Sequence, residues 1–201
     1  MAEERKQTRR KRVGKAGLLS AARVVAAEEG WGAVTVRKIA ERVGYRAPVV
    51  YEYFESKDDL LLELLRRGFA DLAGAVRAAG EDASDPEGAL YGVARAYLRF
   101  AWDSPDHYQV MYGLGGVSFA ASETWEEGQR VGDEVGRAVE EVLRGYGKVT
   151  TDVEEEVLAL WAAVHGLVAL TMAGRMGGGE EQAERLGEKA VRDALIAWRS
   201  G

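Results

Sequence analysis

From Lys15 to Trp198 apolar residues recur at intervals of three and four, and alternation with period two is nearly absent. A helix turns every 3.6 residues, so this pattern buries one face of each helix and gives no alternating face for a sheet. The expected fold is all-α, with about nine helices. Leu18, Ala22 and Val25 share one face of a first helix that Gly30 is placed to end. Thr35 can cap a short second helix, about Val36 to Arg42, which stops before Gly44. Pro48 fits the first turn of a third helix running to about Tyr53. Ser56 and Asp59 start a long amphipathic fourth helix through Leu61, Leu65, Phe69, Leu72 and Val76. After a break at Asp82–Pro86, a helix carries Leu90, Val93, Tyr97 and Phe100 as far as Ser104-Pro105. A short helix then ends near Gly113–Gly116, followed by helices at about Ser122–Leu143, Thr151–Met176 and Glu180–Arg199. The expected organisation is a basic disordered arm over residues 1–14, a three-helix unit over 15–60 and an antiparallel helical domain over 61–201. The boundary falls inside the fourth helix, so the two domains should be joined rigidly.

Composition narrows the chemistry. The chain has no cysteine and two histidines, His107 and His165, far apart in sequence. Thiolate metal sites are excluded, and a zinc enzyme or a histidine-based triad would need unusual help, so no metal and no cofactor are expected. Gly177-Gly178-Gly179 lacks the following lysine and hydroxyl residue of a phosphate-binding loop. No apolar run reads as a membrane span, and Met1 to Arg12 lacks the apolar stretch of a secretion signal, so the expected compartment is the cytoplasm. Net charge is −6, but it is unevenly spread. Residues 1–60 hold 13 basic and 9 acidic groups, net +4, while the remainder holds 14 and 24, net −10. That split suits a basic module that meets phosphate and an acidic module with another task.

The most specific constellation is Ala40, Gly44 and Val50, at spacings of four and six. A helix-turn-helix needs a small residue where two helices approach, a glycine where the chain turns with positive φ, and an apolar residue on the inner face of the second helix. Ile39, Val43 and Phe54 supply the remaining core.

The stretch Leu18 to Leu61 resembles the N-terminal domain of the TetR family. The motif elements are Ala21-Ala22, Glu29-Gly30-Trp31, Thr35-Val36-Arg37, Ile39-Ala40, Val43-Gly44, Val50-Tyr51, Tyr53-Phe54 and Ser56-Lys57-Asp58-Asp59-Leu60. The resemblance implies a transcriptional regulator: a DNA-binding domain on a helical ligand-binding domain, usually dimerised through the last two helices, and usually a repressor. It implies that Thr35 contacts phosphate, that Arg37 reaches phosphate or guanine, and that Arg46, Ala47, Val49 and Tyr53 face the major groove. Tyr51 and Lys57 would hold the backbone; Glu52 either points away or accepts from cytosine. Arg46 and Val49 depart from the small capping and hydroxyl residues common in the family at those positions. The partners implied are a palindromic DNA operator, a second copy of the chain and a small-molecule effector, with no membrane.

A second resemblance, to one C-terminal subfamily, lies in Trp161-Ala162-Ala163-Val164-His165-Gly166-Leu167 and in Pro105-Asp106-His107-Tyr108 with Met111-Tyr112. Trp161 and His165 are one helical turn apart. With Tyr97, Trp102, Tyr108, Met111, Tyr112, Phe119 and Trp125 they either fill the core or line a mostly apolar ligand cavity. Val153, Val157, Leu160, Val164, Leu167 and Thr171 on one helix, with Leu186, Val191, Leu195 and Trp198 on the last, are expected to form a four-helix dimer interface. The expected function is an operator-binding repressor released by a small apolar ligand. The alternatives are ligand-independent or architectural DNA binding and, more remotely, an enzyme, for which no catalytic residue stands out.

Overall fold

The computed structural model describes residues 13–117, 119, 125–148 and 152–200. Most of the basic arm therefore lies outside the described residues. Among the described residues there are nine α-helices and no strand. They are α1 (Lys15–Glu29), α2 (Val36–Arg42), α3 (Pro48–Tyr51), α4 (Lys57–Glu81), α5 (Pro86–Asp103), α6 (Pro105–Met111), α7 (Trp125–Gly145), α8 (Val153–Met172) and α9 (Gly179–Ser200), with one 3₁₀ turn at Trp31–Ala33.

Local chemistry sets the ends. Thr35 Oγ1 accepts from the Lys38 amide at 3.2 Å, and Ser56 Oγ from the Asp59 amide at 3.0 Å. Asp59 returns the bond, its carboxylate accepting from the Glu55 amide at 3.0 Å, which satisfies a further donor ahead of α4. Gly44 turns the chain between α2 and α3 at φ +76°, a conformation a Cβ would strain. The third helix is shorter than expected. Tyr53 and Phe54 both donate their amides to the Val50 carbonyl, at 3.0 Å each, so the chain tightens into a turn after Tyr51.

Two cores lie along α4. Leu18, Ala22, Ile39, Val50 and Phe54 pack with Leu60, Leu61 and Leu64 in the N-terminal core. From Leu65 onward the same helix faces the second core, with Leu72 and Val76 against Leu90, Tyr97 and Val139. Around α5, helices α4, α7, α8 and α9 form the C-terminal bundle. The short α6 touches both units: Val110 sits in the N-terminal core, Tyr108 and Met111 in the other.

The outermost pair departs from expectation in two ways. Val191, Leu195 and Trp198 of α9 are buried in the protomer's own core. Of the expected α9 residues only Leu186 stays exposed, beside Ile196, and α8 exposes Leu158, Trp161 and Leu170. Second, α8 has the length and composition of a membrane span: 20 residues, mean hydropathy 1.4, with only 17% of that window buried. Its three leading glutamates interrupt the run in sequence, yet the rest is apolar on both faces. One face packs on the core through Leu160, Val164 and Val168, which leaves the other without a partner among the described residues.

Candidate DNA-binding and effector sites

The DNA-binding candidates sit on α2, α3 and their flanks. Thr35 and Arg37 are exposed at the start of α2, and Arg37 is held by Glu41 at 2.8 Å in an ion pair whose partners are 83% and 57% exposed. Such a pair is worth little in water, so the guanidinium is free to exchange its carboxylate for a phosphate. Lys38 pairs with Glu29 at 2.6 Å and Arg42 with Glu28, which ties α2 to the end of α1. By contrast, Arg46 and Lys57 are in no ion pair among the described residues. Tyr51 is 58% exposed and Ala47 and Val49 are half-buried on the short α3, with Pro48 and Val50 between them.

Tyr53 does not stand free for the groove. Its hydroxyl donates to the Val13 carbonyl at 2.8 Å and its ring packs against the N-terminal core. It fixes the chain just ahead of α1, directly after the basic residues Arg5, Lys6, Arg9, Arg10, Lys11 and Arg12 in the sequence.

The effector candidates converge as a hydrogen-bonded aromatic cluster. Trp161 Nε1 donates to Tyr97 Oη at 3.0 Å; Tyr97 Oη lies 3.0 Å from Tyr108 Oη, which lies 2.6 Å from His165 Nδ1. Tyr112 completes it, with its ring 4.6 Å from that of His165 and 4.7 Å from that of Tyr108. Burial pushes the hydroxyls of Tyr97, Tyr108 and Tyr112 up, and pushes the imidazole of His165 down, so the cluster is uncharged near neutrality. Met111 is buried beside it, and Phe119 packs on both cores. Trp102 packs on the same core, but its buried Nε1 has no partner among the described residues. The side chain of Trp125 lies outside the described residues. The adjoining void, between Val93, Tyr97, Val135, Leu160, Trp161 and Val191, is only about 30 Å³.

Sequence reading missed the contact between the two units. Arg23 on α1 donates from Nε and Nη2 to both carboxylate oxygens of Asp106 on α6, at 2.6 and 3.0 Å. The indole of Trp31, 1% exposed, donates to the Asp106 carbonyl at 3.1 Å. A Cβ at Gly115 would run into that indole, which is why the loop after α6 can close over it. Two residues along, Tyr108 joins the aromatic cluster, so one short helix is bonded to both sites.

The two histidines make stability depend on pH. Burial holds both His107 and His165 below the ordinary imidazole value of 6.5. Below that value the unfolded chain takes up protons the folded chain refuses, so stability falls as pH drops through 6.5. The melting temperature should decline between about pH 7.5 and 5.5, ahead of the carboxylates, whose window lies lower. A flat profile over that interval, or an unchanged slope in His107→Asn/His165→Asn, would contradict the assignment.

Residues 18–64 match the family described as bacterial regulatory proteins, tetR family. Residues 90–194, more than half the chain, match the tetracyclin repressor-like C-terminal domain. The chain belongs to the TetR family. The matched families are regulators and not enzymes. The HTH-type transcriptional activator FasR of Mycolicibacterium smegmatis is 32% identical to this TetR-family chain over 95 residues, 47% of the chain and 43% of FasR. The uncharacterized HTH-type transcriptional regulator Rv0681 of Mycobacterium tuberculosis is 27% identical over 152 residues, 74% of the chain and 65% of that protein. The match thus spans less than two thirds of either relative. A solved protein of unknown function from Rhodococcus sp. RHA1 has the same fold, with a TM-score of 0.80 at 23% identity, covering 94% of this chain and 98% of that one.

Proposed function

We propose that this chain binds a palindromic DNA operator as a homodimer in the cytoplasm, represses transcription from it, and is released by a small, mostly apolar ligand. The observation that carries the DNA reading is the helix-turn-helix geometry: Gly44 at φ +76°, Ala40 and Val50 buried inside, and Arg46, Tyr51 and Lys57 outside with no carboxylate holding either cation. Thr35, Arg37, Tyr51 and Lys57 contact phosphate and position the domain; Arg46, Ala47 and Val49 meet base edges and specify sequence. Tyr53 aims the basic arm at the duplex by holding Val13. The face of Leu158, Trp161, Leu170 and Ile196 meets its copy in the dimer.

The ligand enters beside Tyr97 and Trp161, where the bundle already has its void, and exchanges hydrogen bonds with the uncharged Tyr108–His165 pair. Because the void holds about one water, a ligand must part α5 from α8 to enter. Tyr108 lies on α6, so parting that bundle moves the helix that Arg23 and Trp31 grip. The tight packing also favours a second reading, DNA binding that no small molecule controls. Identity to an activator bears on the direction of regulation, which a reporter read with and without the protein decides.

The test begins with selection of bound DNA from a random pool, which should yield a palindrome. Operator affinity is then measured across small apolar and aromatic compounds. At least one should weaken binding, and a hundredfold effect requires about 2.7 kcal/mol of differential affinity for the released state. His165→Ala should bind operator near normally and lose the response. Silence across the panel would establish the ligand-independent reading instead.

A further inference from the structure

We propose that the cleft between α1, α4 and α6 is a second small-molecule site, for an amphiphilic amine whose ammonium sits on Asp71 and whose apolar part lies on α1 and Leu64. The cleft measures about 410 Å³, against about 30 Å³ at the aromatic cluster, and lies at the junction of the two units. That size suits a small ligand without rearrangement.

Its chemistry is set by what is left unmatched. Of the charged side chains lining it, Arg23 is bound to Asp106 and Arg67 to Glu63, at 2.6 and 2.9 Å. Asp71 is exposed and in no ion pair among the described residues, although it faces Arg23 and His107 closely enough to act on both. Asp71 is therefore the one charged side chain of the lining in no ion pair among the described residues. His107 lines the same cleft and is 4% exposed, with its Nε2 itself sealed from solvent. Burial keeps this imidazole neutral, so it does not repel a cation. The remaining wall is apolar. Leu19 and Leu64 are buried beneath it, and Val24, 40% exposed, and Ala27 stand exposed along α1. A carboxylate beside bare aliphatic surface, with a neutral imidazole in the wall, matches an ammonium on a short alkyl or aryl body.

The site does not depend on the reading of the aromatic cluster, and its test keeps the two apart. The full chain is titrated by calorimetry with octylammonium, octanol and octanoate. Octylammonium should bind saturably, one per chain, and more tightly than the other two. Asp71→Asn, a surface change that leaves packing intact, should weaken it about tenfold through loss of a charge-assisted hydrogen bond. Ala27→Trp should fill the cleft and abolish it, whereas His165→Ala should leave it unchanged. Tighter binding of octanoate would show an anion site on the two arginines. Equal binding of all three, indifferent to Asp71→Asn, would show apolar adhesion only, and no saturable binding of octylammonium would show that the cleft is merely solvated. Each of these outcomes overturns the proposal.

Discussion

Trp31→Ala is expected to lower the unfolding free energy by about 3–5 kcal/mol, the range for removing a large aromatic ring from a packed core. The ring is 1% exposed and sits where three parts of the chain meet: the end of α1, the start of α6 through the Asp106 carbonyl, and the loop at Gly115. Truncation leaves a cavity that none of these can fill without moving, because Gly115 has no side chain and α6 is held by Arg23. The loss is a large share of the roughly 5–15 kcal/mol available to a domain. Trp31→Phe separates the two contributions. It keeps most of the ring and removes the indole N–H from the Asp106 carbonyl, a loss of about 1 kcal/mol. Urea unfolding of the three proteins checks this. A loss below about 1 kcal/mol for Trp31→Ala would mean that the two units are not joined through this residue.

How much of this was legible in the sequence depends on how far apart the partners lie. Caps, turns and helix faces are local, so Thr35, Ser56, Gly44 and the apolar face of α4 read correctly from spacing alone. The end of α3 did not, because Tyr53 fits a helix by spacing and leaves it to reach Val13, 40 residues earlier. The Arg23–Asp106 pair spans 83 residues, and no local pattern announces it. Aromatic convergence was partly legible: Trp161 and His165 are one turn apart on α8, but that Tyr97 and Tyr108 bond to them follows only from the packing of α5 and α6. For the amphipathic helices the failure was one of direction. An apolar stripe on α9 predicts burial without saying against what, and Val191, Leu195 and Trp198 turn inward to their own core. The cleft beside Asp71 leaves no trace in the sequence at all, since empty space belongs to no residue.

The second large effect concerns the face left open on α8 and α9. Leu158 and Ile196 are each 57% exposed and Leu170 is 50% exposed, while Ala162 and Ala163 between them are small enough to let a second copy approach. A stable interface buries about 800 Å² on each partner, which two helices of 20 and 22 residues can present. Leu158→Glu with Ile196→Glu places four like charges in that apolar interface, two from each copy. The variant should be monomeric by light scattering at micromolar concentration. It should keep its helical circular dichroism, since both side chains are at the surface of the protomer. Operator binding should suffer most. A dimer holds its two recognition helices about 34–36 Å apart, so the second half-site binds at the effective concentration set by the first. Losing that link should weaken binding about 10²–10⁴-fold and lower the salt dependence, because each monomer neutralises half as many phosphates. A variant that stays dimeric would place the interface elsewhere on the bundle. A monomer that still binds the full operator as tightly as the parent would show that the recognition helices act singly, and the palindromic reading would fall with it.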